Sequence, residues 1–516
     1  MNKEIAAMKI DSNETIQLHP NDSVMVAIAD LPSGRKLTHS NVICLNNIPA
    51  GHKIAIQPLK PGEPIFKYGQ IIGFASKGIL SGEHVHTHNL KMKDFERDYA
   101  YCVDAKSTDM IPTDDRATFK GIVRENGRVG TRNYIGVLAT VSCSVSIANW
   151  IADAFSEEVM KRYPNVDGVV ALGHGEGCAS TPENEGFIFL QRVMAGYARH
   201  PNFAGVLMVG LGCEVNHMDC LLNNTGLESG PLLKTLNIQT TGGSTKTVAE
   251  GISIVKKMLE IADQVQKTDV LAENLVVGLE CGGSDAYSGI TANPVLGVAV
   301  DLLVGHGGTA ILSETPEIYG AEQLLTRRAN SRSIGERLVE RIHWWESHTA
   351  RFGGNIDNNP TPGNKAGGLT TILEKSLGAA AKGGSTNLMM VCGYGEAVSA
   401  KGLVFMDTPG YDPVSITGMI AGGANVVCFT TGRGTVCGFK PVPTLKLASN
   451  TTMYERLKDD MDVNCGGILE GSAGIQEMGE KVFDLIIKTA SGSPTRSEKH
   501  GFGDNEFVPW HFGPVM

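Results

Sequence analysis

The sequence predicts an α/β fold with parallel sheet, preceded by a small β domain. From about residue 119 onward, apolar runs of strand length alternate with amphipathic runs of helical period, and strands that alternate with helices favour parallel pairing. Before about residue 90 the apolar runs are short, and turn sequences separate them. Glycine accounts for 62 of the 516 residues, well above the usual share of about 7%, and the surplus follows the apolar runs.

Residues 1–95 are predicted to form the small β domain. Its turns carry Pro20-Asn-Asp, Pro32-Ser-Gly and Lys60-Pro-Gly, which are sequences that favour chain reversal. The strands predicted around these turns are Thr15–Leu18, Ser23–Ile28, Lys53–Gln57 and Gln70–Phe74. Residues 96–118 are polar and charged, and we expect a linker there.

The remainder is predicted to form two α/β domains, a middle domain of residues 119–268 and a C-terminal domain of residues 269–516. The predicted strands are Tyr134–Val141, Gly168–Leu172, Gly205–Val209, Leu275–Leu279, Thr309–Ser313, Leu388–Val391, Leu403–Met406 and Asn425–Thr430. The predicted helices are Ser146–Tyr163, Thr247–Val265, Ile334–His348 and Ile475–Ala490. A chain of this length agrees with two to four domains of ordinary size.

Chemically distinctive residues follow most of these predicted strands. In open α/β sheets the ligand binds beyond the carboxyl ends of the strands, so residues at those ends are candidates for a site. They are Cys143, His174, Cys178, Cys213, Glu214, Cys281, Asp285, Glu314, Glu317 and Arg433. Because such residues follow so many of the strands, the sequence predicts a functional site at the carboxyl edge of the parallel sheet.

The composition restricts the partners. A net charge of −10 and an isoelectric point near 5.8 disfavour nucleic acid and anionic membranes, so neither is expected as a partner. No apolar run reaches the length of about 18 residues that a membrane span requires. The start, Met1-Asn-Lys-Glu-Ile, lacks the basic end and apolar core of a signal peptide. Eleven cysteines without an export signal indicate the reducing cytoplasm.

The loop after the predicted strand Leu275–Leu279 has the richest chemistry in the chain. It offers the thiol of Cys281 and the carboxylate of Asp285 beside Gly282 and Gly283. Glycines let the backbone approach a ligand closely, whereas a packing role would require apolar side chains. The loop is therefore predicted to be a ligand or metal site.

Three further segments carry candidate binding groups. His84, His86 and His88 have period-two spacing, which places them on one face of an extended segment. Imidazoles in that arrangement suit a divalent metal or an anionic substrate. Lys365, in a loop rich in proline and glycine, could bind a carboxylate or act as a base. Arg433, in a turn rich in threonine and glycine, offers a forked donor to an anion.

Four cysteines, Cys143, Cys178, Cys213 and Cys281, leave an iron–sulfur cluster open as an alternative. They lack clustered C-x₂-C spacing, although ligands scattered along a chain can also hold a cluster. A buried cysteine after a strand is commonly inert. The G-x-G-x-x-G fingerprint is absent after the predicted strands, which disfavours a nicotinamide enzyme.

The chain resembles the altronate and galactarate dehydratase family of sugar-acid hydro-lyases. The matching motifs are Gly82-Glu-His-Val-His-Thr-His-Asn89, Arg124-Glu-Asn-Gly-Arg-Val-Gly130, Val209-Gly-Leu-Gly-Cys-Glu214, Glu280–Pro294, Asn359–Gly368 and Thr431-Gly-Arg-Gly-Thr435. The three histidines and the segment Gly320–Leu324 are more similar to the altronate branch.

This resemblance implies an N-terminal β-clip (SAF-like) domain, a middle domain that dimerises, and a Rossmann-like C-terminal domain with a metal site. It also implies dependence on Fe²⁺, with Mn²⁺ as an alternative, and a homodimer or higher homo-oligomer. The implied substrate is a small sugar acid.

We therefore expect a metal-dependent hydro-lyase that dehydrates an altronate-like aldonate to a 2-keto-3-deoxy acid. Catalysis is assigned to His174, His86 and Lys365, and metal binding to Cys281, Asp285, Glu314 and His86. Substrate binding is assigned to His84, His88, Asn89, Arg433, Asn293 and Asn364. Three alternatives stay open: a galactarate-type aldarate dehydratase, an iron–sulfur hydro-lyase and a sugar-acid-binding regulator.

Overall fold

The computed structural model describes residues 9–11, 14–38, 40–179, 181–182 and 184–512. Met1 to Ile5, on which the expectation of no export signal rests, lie outside these ranges. The N-terminal domain consists of the strands β1 (Lys9–Asp11), β2 (Thr15–Gln17), β3 (Val24–Ala27), β4 (Lys53–Ala55), β5 (Pro64–Lys67), β6 (Gln70–Ala75), β7 (His84–Val85) and β8 (Leu90–Lys91). Antiparallel pairing joins β1, β2, β3, β4 and β7 in one sheet and β5, β6 and β8 in another.

The pairing of β4 with β7 decides where the histidines of this domain lie. Ile54 pairs with His84, so His52, just before β4, lies beside His84 and His86, with ring centroids 5.1 and 4.7 Å away. Asn89, which is buried, accepts a hydrogen bond from the backbone N–H of His86 and donates one to the carbonyl of His84, both at 2.9 Å. This amide holds the turn that carries the histidines.

The middle domain contains a parallel sheet of four strands in the order β12-β11-β13-β14. The strands are β11 (Tyr134–Ala139), β12 (Gly168–Leu172), β13 (Phe203–Gly210) and β14 (Leu233–Asn237). An antiparallel sheet of β9 (Thr118–Val123), β10 (Val129–Gly130) and β15 (Thr268–Leu271) joins the segments that enter and leave the domain. Its helices are α1 (Val145–Asp153), α2 (Glu157–Met160), α3 (Glu185–Ala198), α4 (Met218–Thr225), α5 (Ile238–Thr241) and α6 (Ser244–Ala262).

The C-terminal domain is built on a seven-stranded parallel sheet in the order β18-β19-β17-β16-β20-β21-β22. The strands are β16 (Val276–Cys281), β17 (Thr309–Leu312), β18 (Leu388–Cys392), β19 (Gly402–Met406), β20 (Val426–Thr431), β21 (Thr444–Ala448) and β22 (Val463–Asn464). The helices are α7 (Ala292–Gly305), α8 (Gln323–Thr326), α9 (Arg332–Arg351), α10 (Pro362–Ala366), α11 (Ile372–Ala380), α12 (Asp412–Ala421), α13 (Thr451–Arg456), α14 (Ile475–Ala490) and α15 (Arg496–Lys499).

The direction in which strands are added to this sheet reverses at β16, since β17 lies on one side of it and β20 on the other. Such a switch point opens a crevice outside the carboxyl ends of the strands, where α/β proteins bind ligands. The N-terminal domain packs next to this region, because its apolar core, which includes Ile16 and Ile72, continues into Tyr287 and Leu377 of the C-terminal domain. The N-terminal domain thereby covers part of the crevice.

The predicted α/β class, with a small N-terminal β domain and a parallel C-terminal sheet, is confirmed. The prediction of one helix over Ser146–Tyr163 is wrong, because the chain forms α1 and α2 separately. Ser156 interrupts the helix, since its φ of −59° and ψ of 164° are not helical. Within the ranges given above, no helix is long and apolar enough to cross a lipid bilayer.

Candidate active site

A buried group of acidic residues, here called the acid cluster, lies beyond the carboxyl ends of β16 and β17. Its members are Glu280, Cys281, Glu314, Glu317 and Asp412. Glu280 and Cys281 end β16, and Asp412 begins α12, the helix that follows β19. Glu314 follows β17 and precedes the 3-10 helix Thr315–Ile318, which carries Glu317. Three adjacent strands thus deliver the cluster to one edge of the sheet.

The side chains of the acid cluster are in close contact. Cys281 Sγ lies 3.7 Å from Glu317 Oε2 and 4.0 Å from Glu314 Oε2. The candidate ligand atoms of Cys281, Glu314 and Glu317 lie within 4.8 Å of one another. The same is true of a second set, formed by Glu280, Glu314 and Asp412. Glu314 belongs to both sets and is therefore the centre of the cluster.

Two buried lysines, Lys375 and Lys382, contact the acid cluster. Lys375 Nζ lies 2.6 Å from Glu317 Oε1 and 3.0 Å from Asn359 Oδ1. Lys382 Nζ lies 3.9 Å from Glu314 Oε2. Glu317 is therefore closely paired with a cation, while Glu314 has only a distant one.

Burial changes the acid–base properties of this cluster. Burial raises the pKa of Glu280 and, together with repulsion from Glu280 and Glu317, raises the pKa of Glu314 well above its usual value. Burial and the neighbouring carboxylates raise the pKa of Asp412 to about 7. Burial would also raise the pKa of Glu317, but the ammonium group of Lys375 lowers it below the usual value. The cluster therefore holds more carboxyl groups than its own lysines can pair, and Glu317 is the one that its neighbours keep ionised.

The donor set of the acid cluster fits a divalent cation. Four carboxyl groups meet two ammonium groups, so a divalent ion that displaces their protons on binding would offset the two negative charges that remain. Among the residues that the structure describes, Glu280 Oε2 and Glu314 Oε1 are buried without a hydrogen-bond partner. Buried polar atoms are rarely left unpaired. Thiolate and carboxylate donors together suit iron or manganese.

A second group, here called the histidine cluster, consists of His52, His84 and His86 of the N-terminal domain. His52 Nδ1 lies 3.0 Å from His84 Nε2. Burial and the neighbouring histidines lower the pKa of His84 to about 4, and burial together with Lys53 lowers the pKa of His86 to about 3. His86 Nδ1 is buried and has no hydrogen-bond partner within the described part of the chain. All three imidazoles are therefore neutral at neutral pH.

The segment Asn359–Gly368, which includes α10, links the two clusters. At its start, Asn359 Nδ2 donates to Glu317 Oε1 of the acid cluster at 2.8 Å. Near its end, the carbonyl of Ala366 lies 3.4 Å from His52 Nε2. The loop after β16 fastens the segment, because Asn364 Nδ2 donates to the carbonyl of Ser284 at 2.7 Å. One rigid piece of backbone thus fixes the histidine cluster relative to the acid cluster.

A cavity of about 580 Å³ opens next to the histidine segment. Thr87, which lies between His86 and His88, forms part of its wall, and Lys91, Lys93 and Lys365 supply cationic groups. Asp94 and Asp357 also line the cavity, so the three lysines leave a small local excess of positive charge for an anionic substrate on a protein of net charge −10.

The structure places several of the predicted residues inside hydrogen-bond networks. Asp285 is buried; its Oδ1 accepts hydrogen bonds from the hydroxyls of Ser288 and Ser449 at 2.8 and 2.9 Å. Its Oδ2 accepts one from Asn450 at 3.0 Å. Asn293 bonds to the hydroxyl of Thr430 and the carbonyl of Gly378, and Asn364 caps α10. The contacts of Asp285, Asn293, Asn364 and Asn89 hold loops in place, and none of the four belongs to either cluster.

The other predicted residues lie in different surroundings. His88 is exposed and lies 5.3 Å from His84, ring to ring, outside the histidine cluster. Arg433 is exposed, and its backbone N–H donates to the carbonyl of Gly283 at 2.8 Å. His174 is buried at the carboxyl edge of the middle sheet. The structure thus brings Cys281 and Glu314 together, and His84 with His86, but His174 lies in another domain.

Sequence reasoning missed His52 and Asp412, which belong to these clusters, and the two lysines that contact the acid cluster, Lys375 and Lys382. His52 is 32 residues from His84, so only the pairing of β4 with β7 reveals it. Lys375 and Lys382 stand in a run of small and apolar residues that is otherwise fully buried. A charged residue in such a run requires a buried partner of opposite charge, and that signal could have found both lysines.

The fold and the two clusters define a three-domain α/β enzyme. The chain belongs to the altronate/galactarate dehydratase family, a family of hydro-lyases. Residues 13–93 match the model described as "Altronate/galactarate dehydratase SAF domain". Residues 121–263 match "D-galactarate dehydratase/Altronate hydrolase, second domain", and residues 272–515 match "D-galactarate/Altronate dehydratase, C-terminal".

Relatives cover nearly the whole chain. It is 35% identical to the altronate dehydratase of Bacillus subtilis over 94% of this chain and 97% of the relative. It is 34% identical to the altronate dehydratase of Escherichia coli over 94% of this chain and 97% of the relative. It is 33% identical to the Escherichia coli galactarate dehydratase (L-threo-forming) over 98% of this chain and 97% of the relative. The protein is therefore a sugar-acid dehydratase by family.

Proposed function

We propose that this enzyme dehydrates an altronate-like aldonate to a 2-keto-3-deoxy acid with the help of a divalent cation, Fe²⁺ or alternatively Mn²⁺, held in the acid cluster. The observation that carries the proposal is the excess of buried carboxyl groups over ammonium groups around Glu314, together with the unpaired oxygens Glu280 Oε2 and Glu314 Oε1 in the described part of the chain. Cys281, Glu314 and Glu317 would hold the ion, and Glu280 and Asp412 belong to the second candidate set, which shares Glu314. Such an ion stabilises negative charge that develops on a substrate carboxylate and polarises a leaving hydroxyl.

The residues of the chain bind and orient the substrate. Lys91, Lys93 and Lys365 line the cavity beside the histidine segment, so they attract the carboxylate of an aldonate. We assign the base to the histidine cluster, where His86 Nδ1 has no hydrogen-bond partner in the part of the molecule described here and would accept the proton removed from the carbon next to that carboxylate. The 2.6 Å ion pair between Lys375 and Glu317 keeps Glu317 ionised. Burial excludes water from the acid cluster and strengthens each of these interactions.

Metal removal tests the proposal. Chelator-treated protein should lose activity, and Fe²⁺ with a reductant under anaerobic conditions should restore it. The variant Glu314→Gln is the matched test, because it keeps the shape of the side chain but removes one charge, and it should bind Fe²⁺ more weakly in a direct titration. Full activity of metal-free wild-type protein would overturn the metal dependence.

The choice of altronate over galactarate rests on the three-histidine segment and on the names of the two relatives with the highest identity quoted above. A panel of aldonates and aldarates, each assayed for the 2-keto-3-deoxy product, tests it. Higher kcat/KM for galactarate than for any aldonate would reassign the substrate. Family membership supports an enzyme over a sugar-acid-binding regulator.

We also propose a homodimer or higher homo-oligomer assembled through the middle domain. Trp150 on α1 of that domain is 55% exposed, and large exposed aromatic side chains are enriched at interfaces. Trp150→Glu should shift the mass measured by light scattering towards the monomer, whereas an unchanged mass would place the interface elsewhere.

A further inference from the structure

Three cysteines lie at the carboxyl edge of the parallel sheet of the middle domain. Cys143 lies in the 3-10 turn Ser142–Ser144 that follows β11, Cys178 lies in the loop after β12, and Cys213 lies in the loop after β13. These strands are direct neighbours in the sheet, in the order β12-β11-β13. Adjacent parallel strands end at the same edge, so the fold gathers thiols that are 35 residues apart in the sequence.

Backbone contacts draw the three loops together. The N–H of Ser142, next to Cys143, donates to the carbonyl of Glu176 at 2.9 Å. The N–H of Val215, two residues after Cys213, donates to the carbonyl of Cys178 at 2.9 Å. The loop that carries Cys178 is thus fastened to both of the others.

The three thiols are unlike the other cysteines at strand ends. All three are exposed, whereas Cys281 and Cys392, which end β16 and β18, are buried. Buried cysteines act as small apolar groups, but an exposed row of three thiols serves no packing purpose. Exposure also leaves room for a group larger than one ion.

The same edge carries a buried imidazole that packing does not explain. His174 lies four residues before Cys178, is 8% exposed, and accepts a hydrogen bond at Nδ1 from the N–H of Glu176. Its Nε2 is buried and makes no hydrogen bond of good geometry in the described ranges, and the backbone carbonyl of Ala139 is its polar neighbour. Glu214, next to Cys213, is by contrast bonded at both oxygens, to the N–H groups of Leu211 and Gly212.

The spacing of the thiols distinguishes between possible ligands. The ligand atoms of Cys143, Cys178 and Cys213 do not all lie within 4.8 Å of one another. In the described part of the chain, groups that meet this distance occur in the acid cluster and the histidine cluster. A single tetrahedral ion requires thiolates that are close together. An iron–sulfur cluster binds each thiolate to a different iron, so it accepts a wider spacing.

We propose that Cys143, Cys178 and Cys213 ligate a four-iron iron–sulfur cluster at the edge of the middle sheet. Three thiolates occupy three irons and leave the fourth to a ligand that is not a thiolate of this domain. The unpaired Nε2 of His174 lies on the loop that carries Cys178 and is the nitrogen ligand within this edge. The site is separate from the acid cluster and its divalent cation.

The test is spectroscopic and does not depend on dehydratase activity. The full-length protein is reconstituted anaerobically with iron and sulfide. It should show a brown absorbance band, an electron paramagnetic resonance signal after reduction, and about four irons and four sulfides per chain. Cys143→Ser, Cys178→Ser and Cys213→Ser should each lose most of the band, with thermal melts unchanged because these side chains are exposed.

Two control variants locate the cluster. Cys220→Ser changes a thiol of the same domain on α4, and Cys281→Ser changes a thiol of the acid cluster; both should keep the full band. Loss of the band in Cys281→Ser alone, a colourless wild type after reconstitution, or one tightly bound zinc per chain without sulfide would each overturn the proposal. A cluster without dehydratase activity would leave this site standing and reject the proposed function instead.

Discussion

The carboxyl edges of the two parallel sheets occupy equivalent positions but carry different chemistry. In the C-terminal domain, Glu314 is 0% and Cys281 is 1% exposed, whereas Cys143, Cys178 and Cys213 at the edge of the middle sheet are all exposed. The first edge packs against the N-terminal domain, which removes it from water. The sheet topology therefore decides where the chemically distinctive residues gather. The N-terminal domain decides whether they are buried, which shifts the pKa of a carboxyl group, or exposed to solvent.

Glu374 anchors the N-terminal domain to the C-terminal domain. A variant at this residue therefore gives the strongest test of whether the N-terminal domain makes the two sheet edges different. Lys53 and Lys67 of the N-terminal domain lie 2.9 and 2.8 Å from the Glu374 carboxylate, and all three side chains are buried. Burial would raise the pKa of Glu374, but the two lysines lower it below the usual range. Glu374→Ala leaves two buried ammonium groups unpaired, so we expect a loss of about 3–5 kcal/mol in the free energy of unfolding.

Chemical denaturation measures that loss. The control is Glu336→Ala, which breaks the pair between Glu336 and Arg332, whose side chains are 46% and 73% exposed. Solvent screens an exposed pair, so this variant should lose far less stability than Glu374→Ala. Similar losses in both variants would show that Glu374 does not anchor the N-terminal domain.

Glu314→Gln tests whether the burial of carboxyl groups at the carboxyl edge of the C-terminal sheet serves function at the expense of stability. We expect kcat to fall by about a hundredfold, roughly 2.7 kcal/mol. The same change should stabilise metal-free protein, because it removes a buried carboxylate that lies 3.9 Å from its nearest ammonium group. Glu317→Gln is the contrast, since it leaves Lys375 without its 2.6 Å partner and should destabilise. The expectation is wrong if both variants destabilise metal-free protein equally.

The histidine cluster tests whether the N-terminal domain does more than cover the edge. His52→Ala and His86→Ala should each reduce kcat by about tenfold, roughly 1.4 kcal/mol. His88→Ala is the matched control, because His88 is exposed and lies outside the cluster, so its rate should stay near that of the wild type. Normal rates in all three variants would mean that the domain contributes only shielding.

The smallest expected effect concerns the opposite, amino-terminal end of the sheets. His200 is buried in the middle domain, and its Nε2 lies 2.9 Å from the carbonyl of Ala424, just before β20. Burial lowers the pKa of His200 to about 3, from 6.5. Below pH 6.5 the imidazole of His200 is therefore protonated in the unfolded chain but stays neutral in the folded chain. The free energy of unfolding is thus unaffected by the protonation of His200 well above pH 6.5 and decreases as the pH falls below that value.

At pH 6 this loss should be about 0.8 kcal/mol relative to pH 8. Denaturation curves of the wild type and of His200→Gln at both pH values measure it, because only the wild type should show this part of the pH dependence. Parallel pH profiles would show that His200 is protonated in the folded protein, and hence that the junction between the domains is wetter than its burial implies.

Much of the fold could be predicted because strands and helices leave local patterns. Tyr134–Ala139 and Gly168–Leu172 are continuous apolar runs, and Ile475–Ala490 has a helical period over its full length. The break at Ser156 was missed, because the apolar pattern continues through it while the backbone does not. Short strands such as Val463–Asn464 were missed because two residues carry no detectable period.

The site could be predicted only where one segment carries it. Glu280 and Cys281 end one strand, and His84 and His86 share another segment, so their chemistry is readable in the sequence. Asp412 and His52 come from distant segments that only strand order and pairing bring together. Asp285 shows the opposite case: a conspicuous carboxylate on a glycine loop, whose oxygens are occupied by Ser288, Ser449 and Asn450.

The backbone of Glu314 has a consequence for engineering this enzyme. It has a φ of 67°, in the left-handed region that costs a side-chain-bearing residue about 1 kcal/mol or more and costs glycine little. Its carboxylate adds the cost of buried, weakly compensated charge. A directed-evolution screen that rewards heat resistance alone would therefore enrich Glu314→Gly, and the most thermostable clones from such a screen should be the inactive ones.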